Sequence, residues 1–412
     1  MSRLDWAQNI DDLRTLARQR LPRGLFEFVA RGSEDEVGLA HNRAVLDSIK
    51  IKPRALVDVS QRSTATTLLG QPQRMPLIVG PTGAAGLLWY QGESELARAA
   101  AAAGVPYVLA MSSITPLEEV RRACDGALWF QLYLSPERAT SDAMIDRAQA
   151  AGYDALVLTV DTVVSPNREY NSRNGFSVPV RLNRRNVLDF ASHPRWSLGV
   201  IGRYLTSGGM PRFENYPQGM RNSVAGRQKK RWAPVKRDES ADWTSIARIR
   251  DRWTGPLIIK GIGCVEDALA AAEAGADAIV LSNHGARNLD SAASPVQLLP
   301  HVVQAFAGRC PVWVDSGFLR GSDVFKALGL GAQAVLVGRA ALYGLAAGGA
   351  AGGLRSLEFL REELDRCMAY AGTNDVTRLS LQNLQDLGTV FAPSVINLHS
   401  SPTKNSLSAL ES

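Results

Sequence analysis

The sequence has little cysteine, no long apolar run and no strongly acidic or basic bias along most of its length. Its four cysteines, Cys124, Cys264, Cys310 and Cys367, are too far apart for a CxxC pair. That argues against a disulfide framework and a cysteine-based zinc site, and predicts four free thiols and no bound metal. No stretch approaches the roughly 18 consecutive apolar residues of a spanning helix. The first twenty residues, MSRLDWAQNIDDLRTLARQR, carry charges throughout and contain no apolar signal core, so the expected location is the cytoplasm. No GxGxxG follows the first apolar run, which weakens a dinucleotide-binding open sheet. What is present is ordinary globular material: 412 residues, 45% hydrophobic and 21% charged, with 36 glycines. That composition excludes wholesale disorder and collagen-like repeats.

The net charge of +6 is localised. Residues 181–237 hold thirteen basic residues (Arg181, Arg184, Arg185, Arg195, Arg203, Arg212, Arg221, Arg227, Lys229, Lys230, Arg231, Lys236, Arg237) against Asp189 and Glu214, a balance of +11. The rest of the chain therefore sums to −5.

Eight short apolar runs recur: PLIVG from Pro76, PYVLA from Pro106, LWFQLY from Leu128, ALVLTV from Ala155, PLIIKG from Pro256, AIVLSNH from Ala278, PVWVDS from Pro311 and AVLVGR from Ala334. Ala-rich amphipathic stretches ending in Gly separate them, such as GESELARAAAAAG and VEDALAAAEAG, as helices with glycine C-caps do. The start-to-start spacings are 30, 22, 27, 101, 22, 33 and 23 residues. All but the fourth fit a strand–helix repeat, and eight such repeats predict a (β/α)8 TIM barrel. The expected organisation is a mostly helical segment at 1–75, the barrel at 76–380 with an insertion at about 177–240 after the fourth strand, and a C-terminal tail at 381–412.

Barrel active sites lie at the C-terminal ends of the strands. Here those ends carry Gly80-Pro81-Thr82-Gly83, Gln131 and Tyr133, Thr159 and Asp161, Lys260, Ser282-Asn283-His284-Gly285-Ala286-Arg287, Asp315-Ser316-Gly317 and Gly338-Arg339. Glycine-rich loops after strands seven and eight, with Arg339, suit a phosphate. His284 is a candidate base near neutral pH, with Asp161 to orient it and Arg287 to hold a carboxylate through a bidentate fork. Lys260 could form a Schiff base, place a positive charge beside an electron-rich cofactor ring, or simply pair with Asp161.

The run SNHGARNLD resembles the active-site signature of the FMN-dependent α-hydroxy acid dehydrogenase and oxidase family. GSEDEVGLAHNRAVL, GPTG, LWFQLY, LTVDT, REYNSRNGF, IIKG, DSGFLRGSDVFKALGLGA and VLVGRAALYGLA match as well, in family order, over roughly residues 10–380. The resemblance implies FMN as cofactor and oxidation of an (S)-2-hydroxy acid, aromatic and mandelate-like, to the 2-oxo acid. It implies His284 as the base, supported by Asp161. Arg287 and Arg168 would hold the carboxylate, Tyr133 would bond the substrate, and Lys260 would stabilise the reduced flavin. Pro81, Thr82, Gly83, Ser112, Gln131, Thr159 and Ser282 would surround the ring and ribityl chain, with Asp315, Gly317, Arg320, Gly338 and Arg339 at the ribityl and phosphate end. Gly83 resembles the dehydrogenases rather than the oxidases of the family.

Three positions depart from the family pattern. Phe28 stands where many members have a substrate-binding Tyr, Leu319 where they have a phosphate-touching Arg, and VVSPNREY replaces a Gly-Arg-Arg-Glu pattern before Arg168. The resemblance also implies a quinone or O2 as electron acceptor, a homotetramer, and peripheral contact of 181–237 with the inner face of a membrane, where Arg and Lys mix with Trp196, Tyr204, Phe213, Tyr216 and Trp232. No nucleic-acid module is recognisable. The competing readings are an oxidase releasing H2O2, a Schiff-base lyase using Lys260, and a non-catalytic flavin- or membrane-binding scaffold.

Overall fold

The computed structural model describes residues 3–176, 180, 183–224 and 237–385. Eight parallel strands close into a barrel: β1 Leu77–Val79, β2 Tyr107–Ala110, β3 Leu128–Leu132, β4 Ala155–Thr159, β5 Leu257–Ile262, β6 Ala278–Leu281, β7 Val312–Val314 and β8 Ala334–Val337, with β8 pairing back onto β1. Each predicted apolar run is one of these strands. They read as continuous apolar runs because a parallel barrel strand is buried on both faces, by the interior on one side and by helices on the other. Alternate residues serve the two sides. Ile78, Val108, Trp129, Val157, Ile258, Val280, Trp313 and Leu336 form one buried cluster, in which Trp129 and Trp313 stack at 5.5 Å. The residues between them pack outward on the helices.

The helices behind the strands end as their glycines predict. Gly104 caps helix Gly92–Ala103 in the left-handed conformation (φ 70°), where a Cβ is disfavoured. The last helix, Arg339–Ala371, bends at Gly348 and Gly349, which leave helical geometry. The bend lets Gly344 approach Gly352 so closely that a Cβ on Gly344 would lie 2.3 Å from the Gly352 carbonyl oxygen.

The first 75 residues are only partly helical, which corrects the sequence reading. Helices Ile10–Arg20, Arg23–Ala30 and Val37–Ser48 are followed by extended chain and an antiparallel hairpin, Thr66–Leu68 with Gln71–Gln73. Its turn residues, Leu69 and Gly70, both have positive φ, as a two-residue primed turn requires. Leu68 joins the barrel-interior cluster, so the hairpin closes the floor of the barrel. A floor strand is short and lacks clear alternation, which hid it in the sequence.

The long insertion leaves from β4 and packs over the barrel mouth. Trp196 is buried and donates through Nε1 to the Leu87 carbonyl at 2.7 Å. Asn215, fully buried, accepts from Leu117 N (2.9 Å) and donates to the Thr115 carbonyl (3.1 Å). Arg181, Arg227, Lys229, Lys230, Arg231, Trp232 and Lys236 of the basic stretch lie outside the described residues, as do residues 386–412 of the tail.

Candidate active site

All eight strands run the same way, so their C-terminal ends share one mouth. A cavity of about 490 Å3 opens there. Its wall includes Pro81, Thr82, Gly83, Ser112, Tyr133, Thr159, Arg168, Lys260, His284, Arg287, Asp315, Gly317, Gly338 and Arg339, all anticipated from the sequence. Asp161, Gln131 and Ser282 stand behind this wall and hold others in place. Arg320 is not in it: its guanidinium pairs with Glu363 at 3.0 Å, and its side chain is half exposed. The expected contact of Arg320 with a cofactor is therefore corrected, because that residue starts helix Gly321–Gly329 and is drawn to the carboxylate of the last helix.

His284 follows β6 in a left-handed backbone conformation (φ 57°), with its backbone N–H donating to Ser282 Oγ at 3.0 Å. Nδ1 lies 2.9 Å from Asp161 Oδ1. Burial lowers the imidazole pKa below its ordinary value, and the nearby Lys260 and Arg168 charges push the same way against the pull of Asp161. The ring is thus neutral near pH 7. With Nδ1–H donated to the carboxylate, the lone pair resides on Nε2. Burial alone would raise the Asp161 carboxyl, yet His284 and Lys260 hold it below the usual carboxylate range.

Lys260 lies two residues before the C-terminal end of β5 and is buried. It pairs with Asp315 Oδ2 at 2.9 Å and donates to Ser282 Oγ at 2.8 Å. The suggested pairing with Asp161 is replaced by Asp315, which the end of β7 brings across the mouth. Burial opposes the ammonium charge, but Asp315 and Asp161 outweigh it and raise the pKa. A lysine held charged in this way is a poor Schiff-base nucleophile, since that chemistry needs the neutral amine.

The arginines form a second group. Arg168 Nε donates to the Arg287 carbonyl (3.2 Å), and Arg287 Nη1 donates to the Arg31 carbonyl (2.9 Å). Arg339 donates to the carbonyls of Val29, Gly285 and Arg31 at 3.0–3.1 Å. Cations thereby cap the C-terminal end of helix Arg23–Ala30 and fix it against the mouth. Among the described residues none of the three arginines has a carboxylate partner. Burial, followed by repulsion from Arg287, pushes Arg168 down to about 9 and Arg339 down to about 10. An incoming anion would relieve both.

Some contributors were not singled out in the sequence. Asn42 and Asn283 exchange two side-chain hydrogen bonds (3.0 and 2.9 Å), and Asp290 accepts from the first N–H groups of helix Val37–Ser48. Both tie the N-terminal helices to the His284 loop. Arg43 lines the cavity while bonded to the Gly317 carbonyl and Asp323. Asn42 and Arg43 sit inside the matching run GLAHNRAVL, and that membership was the available signal. Phe28 and Leu319 also line the cavity, and the Arg287 guanidinium lies 5.3 Å from the Phe28 ring.

Several buried polar atoms lack a partner among the described residues, and Thr82 Oγ1, Gln131 Nε2 and Thr159 Oγ1 are those at the ends of β1, β3 and β4. Each would cost about 1–3 kcal/mol if left unsatisfied, and a polar ligand seated in the mouth would satisfy them.

A family model described as FMN-dependent dehydrogenase matches residues 17–386. The chain is 43% identical to (S)-mandelate dehydrogenase of Pseudomonas putida over 390 residues, which is 95% of this chain and 97% of that protein. It is 40% identical to an L-lactate dehydrogenase of Caulobacter sp. (strain K31), over 89% of this chain and 96% of that one. A solved structure of the monotopic membrane protein (S)-mandelate dehydrogenase superimposes with a TM-score of 0.85 and 41% identity, covering 92% of this chain and 99% of the other.

Proposed function

Because the chain belongs to the FMN-dependent dehydrogenase family, we propose that it oxidises an aromatic, mandelate-like (S)-2-hydroxy acid to the 2-oxo acid, with a quinone or similar acceptor taking the electrons. The chain is an FMN-dependent oxidoreductase acting on the CH–OH group of a hydroxy acid. The observation that carries the finer reading is one cavity wall holding His284, backed by Asp161, and two arginines, Arg168 and Arg287, without a carboxylate partner among the described residues.

The residues fit the cofactor. Thr82, Gln131 and Thr159 offer unpaired polar atoms to an isoalloxazine edge, and Gly83 leaves room beside Ser112, whose Cβ a residue-83 Cβ would meet at 3.2 Å. The Asp315–Leu319 and Gly338–Arg339 loops suit the ribityl phosphate end. When bound, FMN supplies the two-electron acceptor. The protein does the rest. Arg168, Arg287 and Tyr133 hold the substrate carboxylate and hydroxyl, and His284 Nε2 takes a proton from the hydroxy acid. Asp161 stabilises the imidazolium so formed, and Lys260 supplies a fixed positive charge.

Peripheral membrane contact belongs to the same reading. Val187, Leu188, Leu198 and Leu205 of the insertion are exposed among Arg184, Arg185, Arg195 and Arg203, an apolar and basic mixture suited to an anionic lipid surface. Among the described residues no helix is long and apolar enough to cross a membrane. The assembly proposed, by the same family resemblance, is a homotetramer, which light scattering would check.

The test is an anaerobic visible spectrum of the purified protein with (S)-mandelate and (S)-lactate. A yellow protein whose flavin band bleaches with mandelate supports the reading, and slow recolouring in air supports the dehydrogenase over an oxidase. A yellow protein that no 2-hydroxy acid bleaches overturns it.

A further inference from the structure

Charge balance at the mouth leaves one cation over. Seven cationic side chains line the cavity against one carboxylate, Asp315. Lys260 is neutralised by Asp315 at 2.9 Å, Arg43 by Asp323 at 2.6 Å, and Arg14 pairs with Asp11 at 3.4 Å. Arg168, Arg287, Arg339 and Arg237 have no ion pair among the described residues. An FMN phosphate brings nearly two negative charges near neutral pH, and the carboxylate of a simple hydroxy acid brings one. Four positive charges then face about three negative ones.

The unmatched cation is Arg237. The other three form one group, joined by backbone carbonyls: Arg168 donates to Arg287 O, while Arg287 and Arg339 share the Arg31 carbonyl. Arg237 comes from a different element, the end of the insertion. Its guanidinium carbon lies 3.6 Å from the centre of the Tyr133 ring, and the neighbouring Asp238 N–H is bonded to the Leu134 carbonyl at 3.1 Å. The arginine is therefore anchored on Tyr133, the residue that follows β3, at the part of the cavity wall read above as holding the substrate. The stacking contact uses the face of the guanidinium. None of its five N–H donors meets an acceptor among the described residues, so its edge can fork onto an oxyanion.

We infer that Arg237 reads a second negative charge on the substrate, so that the preferred 2-hydroxy acid is a dianion bearing an extra carboxylate on its aromatic side chain. This rests on the hydroxy-acid reading above. It adds a specificity residue that the insertion supplies.

The experiment compares kcat/KM for (S)-mandelate with that for its 3- and 4-carboxy derivatives, in the wild-type holoenzyme, Arg237→Leu and Arg237→Lys. The wild type is expected to prefer one carboxylated acid by roughly tenfold or more, the worth of one good charge-assisted fork. The ratio of the two kcat/KM values should fall by about the same factor in Arg237→Leu and be partly kept in Arg237→Lys. Because the readout is a ratio within each protein, a general loss of activity does not mimic it. A wild type that uses mandelate as well as either diacid overturns the inference, even if Arg237→Leu fails to fold. An unchanged ratio in Arg237→Leu overturns it too. If mandelate bleaches the flavin and the diacids do not, only this inference falls; if no acid bleaches it, the proposed function falls with it.

Discussion

Replacing Asp161 by Asn separates the two tasks of the His284 pair. The wild-type carboxylate lies 2.9 Å from Nδ1 and is held ionised by His284 and Lys260 despite burial. It therefore favours the imidazolium that forms when His284 takes a proton. A hydrogen bond to a charged group contributes about 1.5–3 kcal/mol, so its loss slows the step by roughly ten- to a hundredfold. The pH profile should move as well. Burial already lowers the His284 pKa below its ordinary value, and Asp161 is the main opposing influence. Without that negative charge the pKa falls further, so the acid limb, where activity is lost by protonating the base, shifts to lower pH. The variant should thus be slower near neutrality and lose less of its remaining activity on acidification. The assay is anaerobic stopped-flow bleaching of the flavin by (S)-mandelate as a function of pH. Wild-type bleaching rates in the variant, or an acid limb shifted upward, would refute the argument that Asp161 acts through its charge.

Three other outcomes follow from the same geometry. Lys260→Met strands the largely buried Asp315 carboxylate, which is expected to cost about 3–5 kcal/mol; a thermal melt at unchanged midpoint would contradict this. Phe28→Tyr restores a hydroxyl beside Arg287, and KM for the hydroxy acid should drop by about ten- to a hundredfold, read from initial rates. Leu188 and Leu198 are 71% and 72% exposed, so changing both to Glu should abolish sedimentation with anionic vesicles while leaving the circular dichroism spectrum intact; retained sedimentation would remove the insertion from membrane contact.

Much of this protein was legible from its residues alone. The eight strands appear as short apolar runs because each is buried on both sides, and the helices between them announce their ends with glycine. The strand ends could be read as the site because parallel strands all finish at one mouth. That reasoning singled out His284, Asp161, Lys260 and Arg287, and the family resemblance added Arg168 and sharpened the roles.

What the sequence left open were the pairings across the mouth. Lys260 could have met Asp161 but meets Asp315, because the closed barrel brings the ends of β5 and β7 within 2.9 Å of side-chain contact. Arg320 was placed with Arg339 at the phosphate end by the resemblance, yet Glu363 of the last helix draws it away from the cavity. Arg237 read as one basic residue among thirteen until the insertion folded back and laid it on Tyr133. Periodicity and turn chemistry act over a few residues, so they determined the strands, the helices and the order of the loops. Which charge meets which across a cavity depends on contacts between residues tens to hundreds of positions apart, and only the closed tertiary structure decides those.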